Sequence, residues 1–386
     1  MSEEWQGLID AAVEFRHALH MQPELTWSER QTAERIRSQL SAADIAWREC
    51  ARYGTVATLA PGAGGRHIAL RADIDALPIT EATNLPWASQ VEGQMHACGH
   101  DGHTASAIAS VLWLKKHEQA LPGPVTLLFQ PAEEGGHGAK AMIDDGALEG
   151  VDAIFGWHNW PAIPIGQAVC PDGPVMSANG TFDIMVTGRG GHASQPELCR
   201  DPVLGAAAIA VALQQISARR IAPQDATVIS VTSIMAPSTP TIIPDTAALS
   251  GSIRLANDGL RSTISELITD VAEHTARAHG VEARVEMKTR YGATVNHAEE
   301  AARYRAALAD EFGPDWRSKD TPIPIMASED FSYYLKEIPG AFALIGADDG
   351  RGHDSPCHSP TYDFNDALIP RIARVYARLA GAPVPE

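Results

Sequence analysis

Met95-His-Ala-Cys-Gly-His-Asp-Gly-His103 packs three imidazoles, a thiol and a carboxylate into nine residues. Its glycines let the backbone turn sharply. Thiolate and imidazole are donors that a zinc-like or manganese-like ion collects, and Cys98 and His100 are close enough to reach one ion from a bent loop. A helical pattern, Thr104–His117, opens directly from this loop. Short apolar runs surround it at Thr55–Leu59, His67–Ala72, Val125–Gln130, Val151–Trp157 and Ala341–Ile345, and they read as buried strands. Polar clusters follow three of them: Arg71-Ala-Asp-Ile-Asp75, Gln130-Pro-Ala-Glu-Glu134 and Gly156-Trp-His158. Open α/β sheets place their ligands at the carboxyl ends of strands. An α/β fold with helices on both faces of a mixed sheet is the expectation.

A chain of 386 residues exceeds the roughly 250–300 at which single cores stop growing, so two domains are expected. The net charge of −18 argues against nucleic acid or an anionic membrane as partner. The five cysteines show no regular spacing and do not read as a disulfide framework, which points to a reducing cytoplasm. The start, Met1-Ser-Glu-Glu-Trp, lacks the apolar segment of a signal peptide. No apolar run approaches the ~18 residues of a membrane span.

Helices are expected over residues 4–20 and from Ser28, in a capping-box pattern with Gln31, to Leu40. From Ser177 the pattern changes. Strands at Thr181–Gly188, Val228–Ile234, Ala247–Leu255 and Val281–Tyr291 alternate with helices opening at Asp201-Pro202 and at Asp258. The order β-α-β-β-α-β is that of a ferredoxin-like α+β unit. We therefore expect residues 1–176 and 294–386 to form a discontinuous catalytic domain, with 177–293 inserted.

Cys98, His100, Glu133, Glu134, His158 and His358 collect as candidate donors. Such a set suits two metal ions that polarise a carbonyl and acidify a water together. One glutamate could bridge the ions while its neighbour takes a proton from the water, and spacing alone does not say which. Asp75 and Asp101 read as carboxylates behind ligating histidines. Ser328-Glu-Asp330 reads as a helix start. Gly188-Arg-Gly-Gly-His-Ala-Ser194 carries His192 on a glycine-rich turn, and Arg254 could hold a carboxylate at two points.

These motifs, with His-Ser-Pro-Thr-Tyr-Asp-Phe at 358–364, resemble the M20 peptidase family, above all its amidohydrolase branch of hippurate, N-acyl-L-amino-acid and auxin-conjugate hydrolases. The resemblance implies a metallopeptidase-like catalytic domain with two divalent metal ions and an inserted lid that makes a homodimer. It implies Cys98, His100, Glu134, His158 and His358 as metal ligands and Glu133 as general base. It also implies that His192 serves the partner's active site and that Arg254 meets a substrate carboxylate. Asp73 stands where the aminopeptidase and deacetylase branches carry a histidine ligand, which favours the amidohydrolase branch. Cys357 stands where an apolar residue is usual.

The expected activity is metal-dependent hydrolysis of an N-acyl amino acid, of acetyl, benzoyl or indole-acetyl type. A carbamoyl-amino-acid or dipeptide hydrolase on the same scaffold is the alternative, and a non-catalytic metal-binding sensor a more distant one. The donor set accepts manganese or zinc, and also cobalt or nickel.

Overall fold

The computed structural model describes residues 2–386. Along the chain they form α1 (Glu3–His20), α2 (Arg30–Ala42), β1 (Trp47–Cys50), β2 (Gly54–Leu59), β3 (Ile68–Asp73), α3 (His100–Lys116), β4 (Val125–Gln130), α4 (Gly138–Asp144), β5 (Ala153–Pro164), β6 (Ala168–Val169) and β7 (Gly173–Met176). Next come β8 (Ala178–Thr187), β9 (Gly191–His192), α5 (Pro202–Gln215), β10 (Thr227–Met235), β11 (Ile242–Ile243), β12 (Thr246–Leu255), α6 (Arg261–Ala278) and β13 (Glu282–Thr289). The chain ends with β14 (Thr294–Asn296), α7 (Ala298–Phe312), α8 (Ser332–Glu337), β15 (Gly340–Asp348) and α9 (Leu368–Ala380).

Two compact units result. The larger gathers the chain up to Val175 with Val295–Ile323 and Asp330–Glu386, and the smaller holds Met176–Thr294 and Pro324–Glu329. The sequence reading left residues 324–329 with the larger domain.

The larger unit is built on a seven-stranded mixed sheet in the order β1-β2-β4-β3-β5-β15-β6. The central strands β4, β3, β5 and β15 are parallel, and the outer pairings are antiparallel. Leu127 and Phe129 of β4 join the core shared with α1, α3 and α9, while Leu128 between them is buried on the opposite face. Gly156 of β5 turns to that opposite face, against Phe331 and Phe342. Burial on both faces is why these strands read as near-continuous apolar runs. Helices α4 and α8 cover the second face, packing on β4 and β15. Asp73 pairs with Gln130 across β3 and β4, at the ends of both strands.

The smaller unit has an antiparallel sheet in the order β10-β12-β8-β13, with α5 and α6 packed together against it. This strand order, with its β-α-β-β-α-β succession, is the ferredoxin-like topology. Phe182, Ile184 and Val186 alternate inward from β8, opposite Leu249, Ile253 and the helix residues Ile209, Leu213 and Ile268. Asp201 caps α5 through the amides of Val203 and Leu204.

Three local expectations are corrected. Ser28 does not cap α2: Glu24 reaches its first turn instead, accepting from the amides of Gln31 and Thr32. Asn257 rather than Asp258 accepts the amide of Gly259, while Asp258 pairs with Arg261. Helix α3 starts at His100, not Thr104, because Gly99 turns through a left-handed conformation inside the motif. The helix expected after Ser328-Glu-Asp330 does open there, as α8 at Ser332, with the Asp330 carbonyl accepting the amide of Tyr333 while its carboxylate is held by Arg71, Gln130 and the amide of Ala139.

Candidate metal centre

Four local devices in the larger unit deliver the six donors. Gly99 (φ +91°) sits just before α3, and a Cβ there would fall 2.3 Å from Oδ1 of Asn159 and 2.5 Å from the Tyr362 hydroxyl. Only glycine tolerates both the conformation and the approach. This turn puts Cys98 on the loop and His100 on the first residue of the helix. The loop after β4 carries Ala132 (φ +57°), Gly135 (φ +90°) and His137 (φ +59°), so it folds back tightly and presents Glu133 and Glu134. His158 comes from β5. His358 (φ +68°) is tied at its amide to the carbonyl of Ala97, 2.7 Å away.

The structure brings all six candidate donors together. Sγ of Cys98 lies 3.3 Å from Nε2 of both His158 and His358. Oε1 of Glu134 lies 3.2 Å from Nε2 of His358. Donor atoms of Cys98, His100 and His158 lie within 4.8 Å of one another, as do those of Cys98, Glu134 and His358 and those of His100, Glu133 and Glu134. Cys98 is common to two of these groups and His100 to two, which is the overlap that a pair of neighbouring ions requires.

Behind the donors, Asp75 fixes two of these elements. Nδ1 of His100 donates to the Asp75 carbonyl at 2.9 Å and faces its Oδ1 at 3.2 Å. The same carboxylate accepts the amides of Glu133 (3.1 Å) and Glu134 (3.0 Å). Nδ1 of His158 donates to the Asn159 carbonyl at 2.7 Å. Both imidazoles therefore turn Nε2 toward the cluster. Nε2 of His100 is buried with no hydrogen-bond partner among the described residues, and Oε1 of Glu134, buried too, has only the His358 ring beside it. Burying such atoms unmatched is costly. Coordination of divalent ions would satisfy them, and one thiol, three imidazoles and two carboxylates are donors such ions accept.

Burial works against charge on His100, but Asp73 and Asp75 outweigh it and push the imidazole up to about 10. A hydrogen bond that the Cys98 thiol makes to Cys357, then burial and Glu134, hold that thiol well above its ordinary range. Burial, with His103 beside it, keeps His158 well below the usual imidazole value.

Other sequence expectations fall outside this cluster. Asp101 contacts none of the donors: successive helix residues point about 100° apart, and its Oδ2 is bound to Arg16 Nε and His20 Nδ1, each at 2.8 Å. His103 is engaged at both nitrogens, by Asp73 and Asn159. Asp73 is bonded to Arg71 as well, and Arg71 also holds Gln130 and Asp330. Sequence reading marked the polar clusters after these strands but gave no sign that Arg71 ties their ends together.

His192 and Arg254 belong to the smaller unit. His192 is exposed on β9, which pairs with β11. Its Nδ1 accepts the Ser194 amide at 3.1 Å, so a neutral ring carries its proton on Nε2. Arg254 is half-buried and donates to Oγ of Ser328 at 2.9 Å.

Known proteins are similar to this chain over most of its length. The chain is 37% identical over 379 residues to hippurate hydrolase of Campylobacter jejuni, covering 97% of each chain. It is 38% identical to N-acetyl-L-cysteine deacetylase of Bacillus subtilis, over 92% of this chain and 83% of the relative. Among solved structures, the YxeP protein of Bacillus subtilis, described as a dinuclear metal binding peptidase from the M20 family, superposes with a TM-score of 0.83 at 32% identity, over 97% of this chain and 98% of that one. The profile of Peptidase family M20/M25/M40 matches residues 69–382. The motifs and the match over most of the chain agree: it belongs to peptidase family M20/M25/M40.

Proposed function

We propose that this protein is an amidohydrolase that uses two divalent metal ions to cleave the amide between an acyl group and the α-amino group of an amino acid. The observation that carries the reading is the pair Glu133-Glu134 on one strained turn, with Cys98, His100, His158 and His358 gathered around it. The relatives named for hydrolysis of hippurate and deacetylation of N-acetyl-L-cysteine support an acyl-amino-acid substrate.

In this reading Cys98, His100, Glu134, His158 and His358 hold the ions. When bound, the ions supply Lewis-acid polarisation of the scissile carbonyl and an acidified water. Glu133 takes the proton of the attacking water and passes it to the leaving amine. Oε1 of Glu133 accepts the amide of Asp330 at 3.3 Å, which aims the carboxylate. His192 donates its Nε2 proton to the developing oxyanion from the second subunit of a homodimer. Arg254 pairs with the carboxylate of the amino-acid half. Manganese and zinc are the metals we favour.

The dimer contact we propose is the smaller unit. Its edge strand β10 exposes Val228, Ile234 and Met235, and α5 exposes Leu204 and Val211. An unpaired apolar edge calls for cover. All five cysteines are free, in keeping with a cytoplasmic setting, and no helix among the described residues is long and apolar enough to cross a membrane.

Glu133→Gln tests the reading. It should keep its metal while losing about 100- to 10,000-fold in turnover of N-benzoylglycine, the range of general-base catalysis. Turnover near the wild-type rate would remove Glu133 from the reaction.

A further inference from the structure

The chain between α1 and α2 grips the loop that carries Glu133 and Glu134 from behind. Four contacts make the grip. The amide of Ala76 donates to the carbonyl of Glu24 at 2.9 Å, which lays this segment beside Asp75. Oγ1 of Thr26 donates to Oδ2 of Asp75 at 2.8 Å, with the Glu134 carbonyl 3.3 Å away. Nε1 of Trp27 donates to the Gly136 carbonyl at 3.0 Å. The amide of Ala132, the residue just before Glu133, donates to Oε1 of Glu29 at 2.8 Å.

Two features are costly unless the grip serves a purpose. Glu29 is fully buried, and its Oε2 has no hydrogen-bond partner among the described residues. A buried acid is an expensive way to fill space that Leu or Met would fill. Ala132, His137 and Trp27 itself all hold positive φ without being glycine. Such conformations cost about 1–3 kcal/mol each and persist where the surroundings over-determine them. The fit leaves no slack: a Cβ on Gly136 would lie 2.5 Å from Cγ2 of Thr26 and 2.8 Å from Nε1 of Trp27.

We propose that Thr26, Trp27 and Glu29 are positioning residues that fix the loop Ala132–Gly136 from behind and thereby set the aim of Glu133. The inference rests on the amidohydrolase reading for what the aim is for, and on geometry alone for the grip. A group held ~1 Å off line can cost about 100-fold in rate, so the three residues govern turnover without touching substrate. Glu29 and Trp27 act on opposite ends of the loop, and Thr26 couples it to Asp75.

The test compares Glu29→Ala, Glu29→Gln and Trp27→Phe with the wild type as full-length, metal-loaded protein. Hydrogen exchange of the amides at 132–136 reads the grip without any substrate. It should rise at least about 10-fold in Glu29→Ala and Trp27→Phe and stay unchanged elsewhere in the chain. On the acyl amino acid that the wild type cleaves best, kcat should fall by about 10- to 100-fold with KM and metal content preserved. Glu29→Gln keeps an acceptor for the Ala132 amide and should restore most of both. Unchanged exchange at 132–136 overturns the proposal. So does unchanged kcat in both Glu29→Ala and Trp27→Phe, or a loss that comes with metal loss or with faster exchange throughout. A wild type inert toward every acyl amino acid would instead defeat the functional reading, and the exchange arm would still decide the grip.

Discussion

Nδ1 of His100 faces both the carbonyl and the carboxylate of Asp75, at 2.9 and 3.2 Å. One residue thus orients an imidazole on α3 and, through the amides of Glu133 and Glu134, the acidic turn after β4. Burial opposes charge on Asp75, but the hydrogen bond and charge of His100, the amide of Glu134 and the hydroxyl of Thr26 hold its carboxyl below the usual carboxylate value.

Asp75→Asn puts an amide NH2 where one oxygen now accepts, so it cannot serve His100 and both loop amides. Loss of a group behind a metal ligand typically costs 10–100-fold in affinity or activity, and about that loss in metal affinity is expected here. Competition with a chelator of known affinity measures it. Wild-type affinity in Asp75→Asn would mean that the turn and His100 hold their places without it.

Metal loading should depend on pH. The metal-free protein keeps protons on Cys98, whose thiol is pushed well above its ordinary range, and on His100, raised to about 10. Ligation needs both atoms bare, so binding expels protons and apparent affinity climbs with pH. Titrations of metal into weakly buffered protein between about pH 6 and about pH 8 should release protons, and the affinity should be higher at the upper end. No proton release would contradict the assignment of Cys98 and His100 as ligands.

Arg16, His20 and Asp101 form a buried ion cluster under α1. Burial lowers the His20 pKa, but Asp101 and Glu81 outweigh it against the opposition of Arg16, and the ring rises from 6.5 to about 9. A folded pKa above the unfolded one means that the contribution is complete below about 6.5 and is lost as pH rises through about 9. The difference in unfolding free energy between wild type and His20→Gln should therefore shrink by about 3 kcal/mol across that window. Urea melts at several pH values check it, and curves that stay parallel would contradict it.

His192→Ala should leave fold and metal content intact and lower kcat by about 100- to 1,000-fold, the effect of removing one oxyanion donor. Mixing His192→Ala with Glu133→Gln protein tests whether the donor comes from the second subunit. Hybrid dimers would hold one site with an intact Glu133 and an intact partner His192, so activity should return. Persistent inactivity of proven hybrids would place the donor in the same subunit.

The sequence made the strands of the larger sheet and the donors legible for one reason: both faces of the sheet are buried, so apolar runs end abruptly where polar chemistry begins. The six donors stand in that pattern. What lay out of reach depended on contacts between distant segments. Asp101 follows His100 directly and looked like its support, but the helix turns it toward α1. Asp75, the other carboxylate read that way, does support His100, from 25 residues away. Ser28 had the form of a cap, but Glu24 on the preceding loop reaches the amides first. Helices α7 and α9 went unread behind the motifs. Arg71 stands in the sequence only as one member of a polar cluster and Glu29 carries no motif, and the fold reveals what each holds.

The most direct test of the whole account is release of free amino acid from a mixed panel of acetyl, benzoyl, indole-acetyl and long-chain acyl amino acids, read by mass spectrometry. The protein would be stripped by chelation and assayed with manganese, with zinc or with nothing restored. The account predicts release that depends on the restored metal and is absent without it. No release with either metal from folded, metal-loaded protein, or equal release from the stripped protein, would contradict it.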